Sequence, residues 1–149
     1  LRLKELAVDA GLAFHRSHLK DPLEVLRRLG GHELAAITGA VLAARLLSVP
    51  VLLDGFTCTA AAAVLHALAE GSLDHCQVGH VSAEPGHRRL LGEIGKKALL
   101  DLHMRLGEGT GAVLALGLFR SAIACHTGMA SFAEANVSTK ERCDDKQNR

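Results

Sequence analysis

Residues Val49–Leu53 read Val-Pro-Val-Leu-Leu, a continuous apolar run of strand length, followed at once by Asp54-Gly55-Phe56 and then by the alanine-rich segment Thr57–Ala69. A strand that is apolar at every position cannot turn one face to water, so it belongs in a parallel sheet covered by helices on both faces. The segment after it has helix length and small side chains that let it lie close on such a sheet. Strand, short loop and helix follow one another in the order of an α/β unit. With no Trp, no Tyr and only 4 Phe in 149 residues, the chain lacks the aromatic content of a β-sandwich. The predicted class is α/β, a parallel sheet covered by helices.

Helical periodicity frames this unit. Leu3, Leu6, Ala7, Ala10 and Phe14 fall on one face of a helix predicted from Leu1 to about His18, despite Gly11. Asp21-Pro22 stops it and starts the next, with Asp as N-cap and Pro in the first turn; Leu23, Leu26 and Leu29 form its stripe, and Gly30-Gly31 ends it. His32–Leu47, rich in Ala and Leu with little charge, predicts a third helix buried on more than one side. Past the central unit, Asp74–Gly79 is a weaker strand, His80–His87 a polar loop, and a helix starts near His87. Leu99–Leu106 fits strand or helix, and Gly107–Gly111 breaks it before a long apolar helix over about Ala112–His126. Residues 139–149 are charged, have no apolar face and are expected to be disordered.

Charge and cysteine usage narrow the partners. Against 17 Lys and Arg stand 16 Asp and Glu, a net charge of +1, so no overall field draws the chain to nucleic acid or an anionic membrane. No run of about 18 consecutive apolar residues predicts a membrane span. Cys58, Cys76, Cys125 and Cys143 include no C-x-x-C pair, and the first three lie in apolar or helical stretches, so they read as reduced core thiols. No secretory leader opens the stretch at Leu1. These readings point to a reducing, cytoplasmic compartment.

In open α/β sheets ligands bind outside the carboxyl ends of the strands, so the loops carry the candidate chemistry. In Leu106-Gly107-Glu108-Gly109-Thr110-Gly111 the glycines allow a tight turn and close approach of backbone N–H groups, while a carboxylate among them would repel a phosphate. Glu108 therefore reads either as a general base, its pKa raised if it faces an apolar wall, or as a solvated carboxylate at a helix start. Asp54 reads either as an acceptor for a ribose hydroxyl or as a cap for the helix near Thr57. The loop His-Val-Ser-Ala-Glu-Pro-Gly-His offers Ser82 and Glu84, but Ser82 lacks a G-x-S-x-G elbow. His80 and His87, with Cys76 nearby, match no zinc spacing, and no metal is expected.

Taken together, Asp21-Pro22-Leu23-Glu24-Val25-Leu26 through Gly30-Gly31, VPVLLDGF at 49–56, GHVSAEPGH at 79–87, MRLGEGTGA at 104–112 and MASFAEANVS at 129–138 resemble the C-terminal portion of the nicotinate-nucleotide:dimethylbenzimidazole phosphoribosyltransferase family. The resemblance covers residues 1–138 and somewhat less than half of a usual family member. It implies a Rossmann-like parallel sheet, here incomplete, and a homodimer. It also implies transfer of the phosphoribosyl group of nicotinate mononucleotide to 5,6-dimethylbenzimidazole, giving α-ribazole 5'-phosphate and nicotinate in assembly of cobalamin's lower ligand. No metal or redox cofactor is implied. The base of the family's L-G-E-G motif falls on Glu108. By the same matching Asp54 and Gly55 line the nucleotide site, Ser82 and Glu84 contact the nucleotide, Leu106 borders the base pocket, Gly107 contacts substrate, and Lys4 lies near the phosphate.

Family members also carry a G-x-G-N-T-T phosphate motif and the first strands of the sheet upstream of the matched part, and neither occurs in these residues. Two readings follow: the chain is the catalytic C-terminal part of a longer pentosyltransferase, or it is a non-catalytic fragment or pseudo-enzyme of this fold. Either leaves an unpaired sheet edge and exposed apolar surface.

Overall fold

The computed structural model describes residues 2–137, and the expected disorder of 139–149 falls on residues outside that range. Contacts divide the chain into two compact units, Leu1–Gly117 and Leu118–Arg149.

The first unit opens with α1 (Arg2–Phe14), a 3-10 turn at Arg16–His18 and α2 (Pro22–Val25). Asp21 caps α2 as its sequence predicts, its carboxylate accepting from the Leu23 amide at 2.9 Å and the Glu24 amide at 3.3 Å. Gly30-Gly31 closes the helical run that starts at Pro22, as the sequence predicts. The chain passes through a π turn, Leu26–Gly30, straight into α3 (Gly31–Leu46), and Gly31 re-aims the backbone with a φ of 73°. Next come β1 (Val51–Leu53), α4 (Phe56–Leu68), β2 (Cys76–His80), α5 (Pro85–Glu93), β3 (Ala98–Leu100) and α6 (Thr110–Gly128). The helix expected near His87 begins at Pro85, where proline's missing N–H costs nothing. The ambiguous run after Lys97 resolves into the short strand β3 followed by irregular backbone to Gly109.

The sheet is parallel, ordered β1-β2-β3, with Leu53 beside Val78 and His80 beside Leu100. As the central strand, β2 is almost wholly buried. Its Val78 joins Leu53, Leu65, Leu73 and Leu91 in the core, so the apolar run at β1 does lie in a covered parallel sheet. Among the described residues β1 and β3 each pair on one side only.

Coverage of the helices is thinner than their composition suggests. α3 buries Thr38 and Val41 and leaves most of its remaining length exposed, because it packs along one face, against α4, where the Thr38 hydroxyl donates to the Ala61 carbonyl at 2.9 Å. The stripe of α1 is uncovered, with Leu3 and Phe14 each 83% exposed. Cys76 is a buried thiol whose pKa burial pushes up, and Cys58 is half-buried. Cys125 corrects the expectation of a core thiol: it is exposed on α6. By length and composition α6, with a mean hydropathy of 1.2, could cross a membrane, although Arg120 and His126 interrupt its apolar run.

In the second unit Ser131 and Glu134 form a reciprocal capping box. The Ser131 amide donates to the Glu134 carboxylate at 2.7 Å, and the Glu134 amide donates to the Ser131 hydroxyl at 3.3 Å. The Ser131 amide and hydroxyl, both donating to it, hold the Glu134 carboxyl below the usual carboxylate range.

Candidate functional site

The carboxyl ends of β1 and β2 open into a cleft of about 430 Å³ whose lining includes Asp54, Gly55, Ser82, Glu84, Leu106, Gly107 and Glu108. Every site residue singled out from sequence is thus brought together except Lys4, which lies exposed on α1 and does not line the cleft.

Asp54 follows the last residue of β1. Its Oδ1 accepts the Ala112 amide at 2.9 Å, so it caps a helix as sequence allowed, but that helix is α6 and not the adjoining α4. The Gly55 carbonyl takes the Thr59 amide at 3.0 Å and the Thr59 hydroxyl at 2.8 Å, which closes the first turn of α4 without a side-chain cap.

The loop after β2 is pinned from several directions. The Val81 amide donates to the Leu100 carbonyl at 2.8 Å and the Ala83 amide to the Met104 carbonyl at 2.9 Å. Ser82 is buried, its hydroxyl accepting the Glu84 amide at 3.2 Å and its own amide donating to His87 Nδ1 at 2.9 Å. Glu84 ends the loop in an ion pair with Arg105 at 3.1 Å. That pair is exposed and adds little to stability; its consequence is to orient the Glu84 carboxylate at the rim.

Glu108 stands on a loop wound in the left-handed region over three successive residues, with φ of 80° at Gly107, 57° at Glu108 and 77° at Gly109. Thr110 closes it, the hydroxyl donating to the Gly107 carbonyl at 2.8 Å and the amide to the same oxygen at 3.1 Å. The flanking glycines adopt this conformation freely, whereas at Glu108 it costs about 1–2 kcal/mol. Local backbone strain of this kind gathers at functional positions. The carboxylate is exposed at the rim and not against an enclosing wall. On its other side lies an apolar groove of about 580 Å³ formed by Met104, Leu106, Val113 and Leu114 among others. Glu108 and Leu106, itself 75% exposed, line both the polar cleft and the apolar groove.

Several lining residues carry no signal in the sequence reading. Glu33 and Ile37 reach the cleft from α3, and Cys58 and Thr57 from α4. His80 is the most telling of them. It is 1% exposed, lines the cleft, and presents a buried Nδ1 that has no hydrogen-bond partner among the described residues and lies 3.8 Å from Asp54 Oδ1. Two motif glycines make room for its ring: a Cβ at Gly55 would stand 3.1 Å from His80 Cε1, and a Cβ at Gly111 would overlap the imidazole outright. Its only mark in the sequence is a spacing from His87 that fits no metal site, so nothing local announces this role. Among the described residues no group of three His, Cys, Asp or Glu side chains is placed to hold a metal ion.

The chain as a whole is similar to known proteins. Residues 1–137 match the family model DBI_PRT, phosphoribosyltransferase. The nicotinate-nucleotide–dimethylbenzimidazole phosphoribosyltransferase of Rhizobium meliloti (strain 1021) is 60% identical over 141 residues, which are 95% of this chain and 42% of that protein. The protein of the same name from Methylocella silvestris is 58% identical over 140 residues, 94% of this chain and 41% of its own length. The chain therefore spans about two-fifths of the curated relatives it matches. The crystal structure of nicotinate-nucleotide-dimethylbenzimidazole phosphoribosyltransferase from Thermus thermophilus superimposes with a TM-score of 0.73 at 50% identity, over 80% of this chain and 36% of that one. The parallel sheet is thus the incomplete Rossmann-like fold of these enzymes, and the chain belongs to the DBI_PRT phosphoribosyltransferase family.

Proposed function

We propose that this chain carries the general base and part of the nucleotide site of a pentosyltransferase that moves the phosphoribosyl group of nicotinate mononucleotide to 5,6-dimethylbenzimidazole, in assembly of the lower ligand of cobalamin. The observation that carries the reading is the position of Glu108 between a polar cleft and an apolar groove. A nucleotide in the cleft and an aromatic base in the groove would meet beside its carboxylate.

The chemistry asks little beyond alignment and one proton transfer. Nicotinate bonded to C1' through its ring nitrogen is a cationic leaving group; the C1'–N bond breaks with its electron pair going to that nitrogen. The lone pair of a benzimidazole ring nitrogen forms the new bond to C1' from the opposite face, inverting the carbon. The positive charge then on the benzimidazole is removed when its other nitrogen gives a proton to Glu108. Placing both reactants accounts for much of the acceleration, and proton removal by a positioned base adds about 10²- to 10⁴-fold.

Asp54, Gly55, Ser82 and Glu84 are assigned to the nucleotide, Leu106 and Gly107 to the wall beside the base, and Lys4 to the phosphate. The same reading has the enzyme act on small molecules, as a homodimer, in the cytoplasm. Calorimetric titration of the chain with nicotinate mononucleotide and, separately, with dimethylbenzimidazole tests it. Binding of either that weakens in Glu108→Gln or Asp54→Ala supports the assignment. No heat with both ligands on a folded sample would return the chain to a non-catalytic module of this fold.

A further inference from the structure

We propose that His87 is the positioning residue that locks the Gly55 loop and the Ser82 loop to each other across the floor of the cleft. It does so through both ring nitrogens and without lining the cleft itself. The consequence for a ligand rests on the nucleotide reading above; the lock does not.

The hydrogen positions follow by elimination. The Ser82 amide can only donate, so His87 Nδ1, 2.9 Å away, accepts and carries no proton. A neutral ring then holds its proton on Nε2, which donates to Thr59 Oγ1 at 3.1 Å. The Thr59 hydroxyl proton is committed to the Gly55 carbonyl at 2.8 Å. One unbroken relay therefore runs from the Ser82 amide, through two side chains that are each 0% exposed, to the Gly55 carbonyl. It ties the loop leaving β2 to the loop leaving β1, and these two loops hold four of the residues assigned to the nucleotide. Buried polar groups satisfied this completely specify one geometry, and losing one member strands the others.

Protonation is incompatible with the relay. A proton on Nδ1 would face the Ser82 N–H, donor against donor. The surroundings oppose that proton: burial pushes the His87 pKa down, and His80 on β2 pushes the same way by its charge. α4 presents the uncharged Thr59 hydroxyl and the Phe56 ring, its centroid 5.8 Å away. At the N-cap of α5, Glu84 bears on His87 through its backbone carbonyl, which accepts the His87 amide at 3.0 Å.

The test uses two variants that each keep half of the relay. His87→Asn retains an acceptor near the position of Nδ1, and His87→Gln retains a donor near that of Nε2. Nitrogen-detected NMR of the histidine ring should find the neutral Nε2–H form at pH 7. Amide exchange at Ser82 should speed about tenfold in His87→Gln and change by less than about threefold in His87→Asn. A ring carrying its proton on Nδ1, or Ser82 exchange as slow in His87→Gln as in the native chain, overturns the lock. Titration with nicotinate mononucleotide between about pH 5 and pH 8 then reads the consequence. The native chain should bind more weakly at acid pH, and both variants should bind about tenfold more weakly than it at about pH 8 and lose that pH dependence. If the native chain binds no nucleotide, the phosphoribosyl reading fails, while ring tautomer and Ser82 exchange still decide on the lock.

Discussion

Asp54 Oδ1 accepts the Ala112 amide at 2.9 Å, joining the carboxyl end of β1 to the first turn of α6 across 58 residues of sequence. A carboxylate there satisfies one of the orphan N–H groups of a helix start and favours its positive end. Asp54→Ala should therefore lower unfolding free energy by about 1 kcal/mol, as loss of a helix cap does. Asp54→Asn keeps an acceptor oxygen and should recover most of that loss while removing the negative charge from the cleft. Urea denaturation of the three proteins checks this, and equal midpoints would mean that the cap contributes nothing.

The His80 ring occupies the space that a side chain at Gly111 would need. Gly111→Ala should cost about 1–3 kcal/mol, the range for forcing extra atoms into a packed site. Gly39, in α3 with open space where its Cβ would stand, is the control. There the substitution should stabilise by about 0.5–1 kcal/mol, because alanine has less chain entropy to lose in a helix. Thermal unfolding of both variants would separate steric crowding from helix propensity, and equal shifts would remove the argument from His80.

Much of this architecture is legible in the sequence because it is local. The apolar run at Val51–Leu53, the helix after Gly55 and the loops bearing Ser82 and Glu108 each announce themselves within about a dozen residues, through hydrophobic period and turn chemistry. What pairs with what is not local. Asp54 reads as a cap for the next helix, and nothing around it says that the amide it takes belongs to Ala112. The composition of α3 says how much it could bury, while its exposure depends on which elements lie beside it. For His80 and His87 the sequence offers only a spacing that fits no metal site. Their structural roles come from Gly111, Gly55 and Thr59, which reach them only after the sheet has formed.

Glu108 holds a φ of 57° between two glycines, a position where its side chain destabilises the loop that presents it. Replacing it by glycine should raise unfolding free energy by up to about 1 kcal/mol, relief of left-handed strain being partly offset by unfolded-chain entropy. On the proposed function, the same change should abolish phosphoribosyl transfer by the enzyme carrying this chain. Glu108→Gln, which keeps the backbone cost, should leave stability within about 0.5 kcal/mol and lower turnover about 10²- to 10⁴-fold. Opposite movements of stability and turnover in Glu108→Gly would mark a strained residue kept for its chemistry. If stability also fell, the loop would need the carboxylate for its own conformation.

The lowered pKa of His87 makes stability depend on pH with a definite sign. Its ordinary value is 6.5 and burial shifts it down in the folded chain. In acid the unfolded chain therefore takes up a proton that the folded chain refuses. Stability contributed by the neutral ring is complete above about pH 6.5 and is lost as pH falls through that value towards the lowered one, with a slope of at most one proton. The chain has 9 histidines, so the native curve alone does not isolate this one. The difference between native chain and His87→Asn does: it should be constant above about pH 7 and shrink below it, because the variant has no ring to protonate. Urea unfolding at several pH values supplies both curves. A difference that stays constant through the acid range would mean that His87 takes its proton equally readily folded and unfolded, which a ring accepting from the Ser82 amide cannot do.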